Sequence, residues 1–312
     1  MIKIEKSSPD LETEVIFTDK CAHCGACGAF CHHVSYDESG APQFDMECQE
    51  TIGLCYNSCP RTDLPLDLYD EKLFGQKRVD IGLGVYKDIV SVKLKNADSV
   101  LLGLIEAAFS KGTIDTMILP KSASEKTRNN IPIIAKSAQE AKSYIPDKSL
   151  MLTGPLCPGV GEAYENGACK IGFLGNPCHI TGLTKVMLSA FRTGADMVAL
   201  KIGFMCASGG LTGCKFCVDF AAEHADISIG TMGAASGETI VIIRNKAGED
   251  ALNAAIDAGL IEIANKNPDL AKLKDLTNRK KRKNLLTLLG TDLAKIHYLG
   301  LGADQLKYFM IE

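Results

Sequence analysis

No apolar run in the 312-residue sequence reaches the roughly 18 residues that suggest a membrane-spanning helix. Direct membrane insertion is therefore not expected, and any membrane association would come through a partner. The opening Met-Ile-Lys-Ile-Glu-Lys-Ser-Ser-Pro lacks the apolar core of a signal peptide. Excess positive charge is missing too. The formal net charge is −4 and the sequence pI about 5.9, which leaves no basic field for nucleic acid or an anionic membrane. A strongly basic run occurs only at Arg279-Lys280-Lys281-Arg282-Lys283, readable as a steering patch for an anionic coenzyme tail or as a solvated helix face. No G-x-G-x-x-G follows a strand, no P-loop is present, and Gly159-Val160-Gly161 does not supply the spacing. A nicotinamide-binding Rossmann domain is disfavoured.

What is abundant is cysteine. There are thirteen, an odd number, and with cluster-type spacing among them they point to metal chemistry in a reducing cytoplasm and not to disulfides. Cys21-Ala-His-Cys24-Gly-Ala-Cys27-Gly-Ala-Phe-Cys31 is the run by which ferredoxin-like domains hold iron–sulfur clusters. In two-cluster ferredoxins the fourth cysteine of such a run ligates the other cluster. The fourth ligand here is therefore expected from Cys59, followed by Pro60, so that Cys21, Cys24, Cys27 and Cys59 hold one 4Fe–4S cluster. Gly25, Ala26, Gly28 and Ala29 let the backbone approach it. Zinc also uses paired cysteines, but zinc sites seldom crowd four into so short a run.

The second half of the motif is irregular. A regular pattern wants cysteines at the positions of Ile52 and Gln49, and Cys48 sits one residue off. Cys31, Cys48 and Cys55 remain for a slipped second cluster, a three-iron cluster, a cube with a non-cysteine ligand, or the remnant of a lost site. His32 and His33 lie close by, as ligands or as solvated loop histidines.

The composition, 46% hydrophobic and 23% charged, is that of a globular chain able to bury a large core, and the length suggests about two domains. Residues 1–60 read as a small ferredoxin-like domain that relies on its metal for folding, 61–88 as a connector, and 89–312 as a mixed-sheet α/β domain. Strands are expected at Ile89–Leu94, Thr116–Leu119, Ile131–Ala135, Leu150–Thr153, Lys170–Leu174, Met197–Phe204, Ile227–Gly230 and Thr239–Arg244. Helices are expected at Ser99–Lys111, capped by Asp98, and at Ala138–Tyr144, Ile180–Leu188, Leu211–His224 and Gly248–Ala258.

This larger part carries six cysteines: Cys157, Cys169, Cys178, Cys206, Cys214 and Cys217. Cys214-Lys-Phe-Cys217 is a C-x2-C pair, and Cys178 and Cys206 follow strands, where open α/β sheets build their sites. From spacing alone these form a cluster site, or a redox dithiol beside buried single cysteines.

Several stretches carry a resemblance: Leu73-Phe74-Gly75, Gly84-Val85-Tyr86-Lys87, Gly175-Asn176-Pro177-Cys178-His179-Ile180, Gly203-Phe204-Met205-Cys206, Cys214-Lys215-Phe216-Cys217-Val218-Asp219-Phe220, Ala225-Asp226-Ile227-Ser228-Ile229-Gly230 and Val241-Ile242-Ile243-Arg244. In this order they resemble the beta-subunit family of coenzyme F420-reducing hydrogenases and F420H2 dehydrogenases. Formate dehydrogenase beta subunits and the flavin half of F420-dependent sulfite reductase are among that family's members.

The resemblance implies FAD in the α/β domain without a Rossmann fold, and a second 4Fe–4S cluster on Cys178, Cys206, Cys214 and Cys217, with Cys157 and Cys169 left to burial. It makes Asn176, Lys201, Gly203, Gly209 and Gly210 candidate flavin contacts. Members usually open the first helix of this domain with a glycine pair that can receive an anionic cofactor on backbone N–H groups. Here the turn is Lys95-Asn96-Ala97-Asp98-Ser99-Val100, with Asn96 and Ser99 as candidate contacts and Asp98 as a carboxylate in a phosphate's place or as an N-cap. The expected activity is hydride exchange with F420 or another soluble carrier, with FAD dividing the pair into single electrons for clusters and a catalytic partner subunit. The alternatives are a relay subunit of a hydrogenase, heterodisulfide reductase or formate dehydrogenase complex that does not use F420, an FAD/iron–sulfur reductase of an organic substrate, and a binding module with dead cluster motifs.

Overall fold

In the computed structural model, which describes residues 6–45, 48, 53–120, 132–145, 154–189, 194–208, 210–290 and 299–300, the first elements are short. α1 (Ser8–Leu11), the hairpin of β1 (Val34–Tyr36) and β2 (Pro42–Phe44), and α2 (Leu54–Ser58) surround the first cysteine loop. Their common core is small, consisting of Leu11, Val15, Val34 and Tyr56 with Cys27 and Cys55. α3 (Leu66–Phe74) follows within the stretch expected to be a connector.

The remaining strands join one mixed sheet. They are β3 (Asp88–Leu94), β4 (Thr116–Pro120), β5 (Pro132–Ala135), β6 (Ile171–Gly175), β7 (Val198–Phe204), β8 (Ile227–Gly230), β9 (Thr239–Ile243) and β10 (Ile261–Asn265), in the order β10-β3-β9-β8-β7-β6-β4-β5. β4, β6, β7 and β8 are parallel, and β9 runs antiparallel to both β8 and β3. β3 therefore points the same way as β8, and the C-terminal ends of β3, β8, β7, β6 and β4 share one edge. The central strands read as near-continuous Ile, Val and Leu because both faces are covered.

On one face α4 (Val100–Ser110), α5 (Ala138–Tyr144) and α8 (Lys246–Asp257) bury Leu104, Ile105, Ala141 and Leu252 against Val92, Leu200 and Val241. On the other, α6 (Pro158–Glu165) and α7 (Pro177–Leu188) bury Val160, Ile180 and Leu183 against Ile118 and Phe173, and Cys24, Ala26 and Ala29 join that same core. α9 (Ala271–Leu289) brings Leu273 against Ile89, Ile240 and Ile242. No helix among the described residues is long and apolar enough to cross a membrane.

Most expected elements are present within a residue or two, whereas the strand expected at Leu150–Thr153 lies outside the described residues. Two expectations are corrected. Leu211–His224 is not a helix: a 3-10 turn, Thr212–Phe216, is followed by irregular chain to Ala222, which has φ +52°. Val218, Phe220, Ala221 and Ala222 are all buried, so the apolar residues there face protein on every side and not along one helical stripe. Nor does Asp98 cap α4. Ser99 does, its Oγ accepting the Leu102 N–H at 3.1 Å, while Asp98 pairs with Lys142 at 2.5 Å. β10, α6 and α9 were not expected.

Candidate metal and cofactor sites

The first cysteine loop turns inward at the 3-10 turn Ala26–Gly28, and Cys59 enters from the end of α2. Cys21, Cys24, Cys27 and Cys59 line one cavity, walled by Leu11, Ile16, Pro42 and Pro60. Backbone N–H groups already face sulfur here: His23 donates to Cys21 Sγ and Arg61 to Cys59 Sγ, each at 3.4 Å. Burial pushes the Cys21 and Cys24 thiols up to about 12, with the Cys59 thiol adding to it, and drives Cys27 well above its ordinary value. Packing four thiols into a dry space is unfavourable to any thiolate until a metal replaces the protons. Of the small residues expected to open this loop, Gly25 lines the cavity, whereas Gly28 sits against Tyr36 and Ala26 and Ala29 pack towards α7.

The second set assembles from three places. Cys178 opens α7 after β6, Cys206 follows β7, and Cys214 and Cys217 come from the 3-10 turn. All four line a single cavity with Ala22, Arg61, Asn176, Pro177, Leu211 and Lys280. Gly213 permits this, since a Cβ there would lie 2.0 Å from the Cys21 carbonyl oxygen. Burial pushes Cys206 up to about 11 and Cys178 well above its usual value. Burial resists at Cys217 as well, but Lys280 and then Arg61 pull its thiol below the ordinary value.

The two cavities are neighbours. Ala22 lines both, and on α7 the positions Cys178, Gly182 and Lys185 share one helical face turned towards the first loop. A Cβ on Gly182 would stand 2.7 Å from Ala26 Cβ and 3.3 Å from Cys24 Sγ. Lys185, 4% exposed, donates its Nζ to Cys59 O at 2.7 Å, Thr62 Oγ1 at 2.8 Å and Asp63 O at 2.7 Å, and burial lowers its pKa to about 8. Among the described residues no three His, Cys, Asp or Glu side chains gather to chelate a single ion. The four-thiol cavities are thus spaces bounded by sulfur, a donor set suited to soft metals.

Burial pushes the Cys55 thiol up to about 11, with Cys31 and Cys48 contributing. Part of the loop around Cys48 is outside the described residues. His32 lies 3.6 Å from Glu165, and His33 lies 3.5 Å from Asp45. Cys157 is buried with its thiol towards His179 O at 3.6 Å. Cys169, expected to be buried, is exposed at a turn, where its N–H donates to Asp115.

A third, larger depression lies where β3 and β8 end. Leu94, Asp98, Ser99, Val100, Thr231, Ala234, Ala235, Ser236, Gly237, Glu238 and Thr239 border about 460 Å³, against about 20 Å³ at each of the cysteine cavities. Of the three spaces, this one alone falls in the size range of a small-molecule site. Ser99 is in its wall. Asn96 instead donates its side-chain N–H to Gly259 O at 2.8 Å, and Asn176 caps α7 beside Cys178. Lys201 is buried, its backbone N–H donating to Asp226 at 2.6 Å, and burial holds its ammonium below the ordinary value despite that carboxylate. Gly203 packs against Ala222 and Ala225, Gly210 is in a left-handed turn, and Gly209 lies outside the described residues. The candidate flavin contacts are therefore not in one place.

The basic run divides. Arg279 is exposed and pairs with Asp275, whereas Lys281 is buried on Glu223. Lys280 reaches Cys206 O at 2.7 Å and Asp219 O at 2.6 Å. It is neither a uniform steering patch nor a solvated face. Sequence reading missed Arg61, Lys185 and Lys280; only the spacing of Lys185 from Cys178 signals its place.

Fold and cysteine placement define a thiol-rich α/β protein with its sites on one sheet edge. The family model for the C terminus of the coenzyme F420 hydrogenase/dehydrogenase beta subunit matches residues 208–269. An uncharacterized protein of Methanocaldococcus jannaschii is 24% identical over 90% of this chain and 99% of its own length. The coenzyme F420 hydrogenase subunit beta of Methanothermobacter thermautotrophicus is 26% identical over 64% of this chain and 93% of its own. A chain of the F420-reducing NiFe hydrogenase complex from Methanosarcina barkeri matches in fold with a TM-score of 0.58 at 22% identity, over 67% of this chain and 93% of that one. The chain is thus similar to coenzyme F420 hydrogenase and F420H2 dehydrogenase subunits, with the family model confined to residues 208–269.

Proposed function

We propose that this chain is an oxidoreductase subunit that exchanges reducing equivalents between coenzyme F420 and a catalytic partner, holding FAD and two 4Fe–4S clusters. The observation that carries the reading is the convergence of eight cysteines, four by four, on two adjoining cavities. When bound, the flavin supplies hydride exchange and the clusters supply one-electron steps. Cys21, Cys24, Cys27 and Cys59 would hold one cluster, and Cys178, Cys206, Cys214 and Cys217 the other. The Ser99 turn and the 231–239 loop offer the flavin its space. The apolar walls exclude water from the thiols, and Lys185 and Lys280 fix the loops that carry Cys59 and Cys206.

The relatives' names support the F420 link and a partner subunit. A relay without F420, fed by its partner, is favoured by one feature: Asp98 sets a carboxylate on the rim of the depression. Anaerobic spectra of the purified protein with FAD and iron quantified, before and after reduced F420 and separately NADH, decide between them. Bleaching of the flavin by reduced F420 alone supports the first reading; bound flavin that neither donor reduces supports the relay. Protein lacking both flavin and iron overturns both.

A further inference from the structure

One buried arginine stands between the two four-cysteine cavities. Arg61 is 8% exposed. Its Nε donates to Lys20 O at 3.1 Å, just before Cys21, and its Nη2 donates to Gly213 O at 3.3 Å, just before Cys214. The same side chain lines the cavity of Cys178, Cys206, Cys214 and Cys217, while its backbone N–H faces Cys59 Sγ in the other. The nearby lysines are not shared in this way. Lys185 is bonded to Cys59 O, and Lys280 to Cys206 O.

We propose that Arg61 is a positioning residue common to both clusters, tying the two cysteine loops together and raising both reduction potentials, whereas Lys185 acts on the first cluster alone and Lys280 on the second. The inference rests on reading both cavities as cluster sites. Each one-electron reduction adds a negative charge, and a fixed cation in a dry interior stabilises the reduced form. A planar guanidinium can reach two carbonyls in different directions at once, which an ammonium on a single stem does less well.

The test uses the full-length protein, purified anaerobically as wild type, R61Q, K185Q and K280Q, titrated with dithionite while the cluster EPR signals are followed and iron and sulfide are quantified. Loss of one signal in C24S and of the other in C217S assigns them to their cavities. R61Q is expected to shift both one-electron equilibria at least tenfold towards the oxidised form, about 59 mV each. K185Q is expected to shift the first cluster only, and K280Q the second only. Iron-replete R61Q with either potential unmoved overturns the proposal. If R61Q loses iron, the loss is expected from both cavities, and loss from one alone overturns the shared role. R61K keeps the charge and is expected to hold both potentials; a tenfold fall at both in R61K also overturns it. Wild-type protein without iron in either cavity sinks the cluster reading itself.

Discussion

Glu223 is the residue on which the buried charges meet. It pairs with Arg78 and with Lys281, and Arg78 also bonds Asp70 at 2.9 Å, all with side chains almost wholly out of water. Burial alone would raise Glu223, but Lys281 and then Arg78 hold its carboxyl below the ordinary range; Asp70 is likewise lowered against burial by His224 and Arg78. Because the folded values lie below the unfolded ones, this stabilisation is complete above the unfolded carboxyl range near about 4 and is lost as pH falls below that range through the folded values. E223Q removes the anion shared by two buried cations and is expected to cost about 3 kcal/mol at pH 7, with a smaller loss than wild type as pH falls below about 4, measured by urea unfolding. A second residue-scale prediction concerns Gly182. G182V drives atoms into Ala26 and Cys24 and is expected to destabilise by about 1–3 kcal/mol and to lower bound iron, read by thermal melting and iron assay.

At the scale of the element, α4 and α7 show how one helix can be easy to read and another only half so. Removing the Ser99 hydroxyl in S99A is expected to cost about 1 kcal/mol through the lost N-cap, and to weaken FAD retention if the depression beside it is the flavin site, measured by denaturation and by flavin content after gel filtration. The helix itself was legible because its apolar residues recur at helical spacing and Gly112 stops it, yet the capping residue was misplaced by one because Asp98 and Ser99 are both good caps. α7 was legible as a helix, but the role of Lys185 was not, since a lysine on a helix usually reads as solvated. The strands of the sheet announced themselves by Ile and Val runs, whereas the segment after Cys217 mimicked a helix by being apolar throughout. The cysteine sets were legible from spacing on one side, from Cys21 to Cys59, while on the other spacing left a cluster site or a redox dithiol and the resemblance favoured the cluster. There, the four cysteines come from the ends of two strands and from a 3-10 turn, and spacing carries little trace of their meeting.

At the scale of the whole molecule, the first sixty residues have a small core and lean on α7 through Ala26, Ala29 and Lys185. Stripping metal with a chelator under reducing conditions is expected to expose residues 6–62 to protease at least tenfold faster while cleavage within the eight-stranded sheet changes little, followed by mass spectrometry of the fragments. Equal acceleration in both parts would show that the cavities do not hold the N-terminal part in place.

The strand order has a consequence for the birth of the protein. β3 is completed by residue 94, yet both of its neighbours in the sheet, β9 and β10, are contributed by residues 239–265. During synthesis this Ile- and Val-rich strand must wait for most of the chain with neither edge covered, and a ribosome that stalled after Gly230 would release it in that state. Assembly of the sheet is therefore a late, long-range closure in which the last third of the chain arrives on both sides of one of its earliest strands.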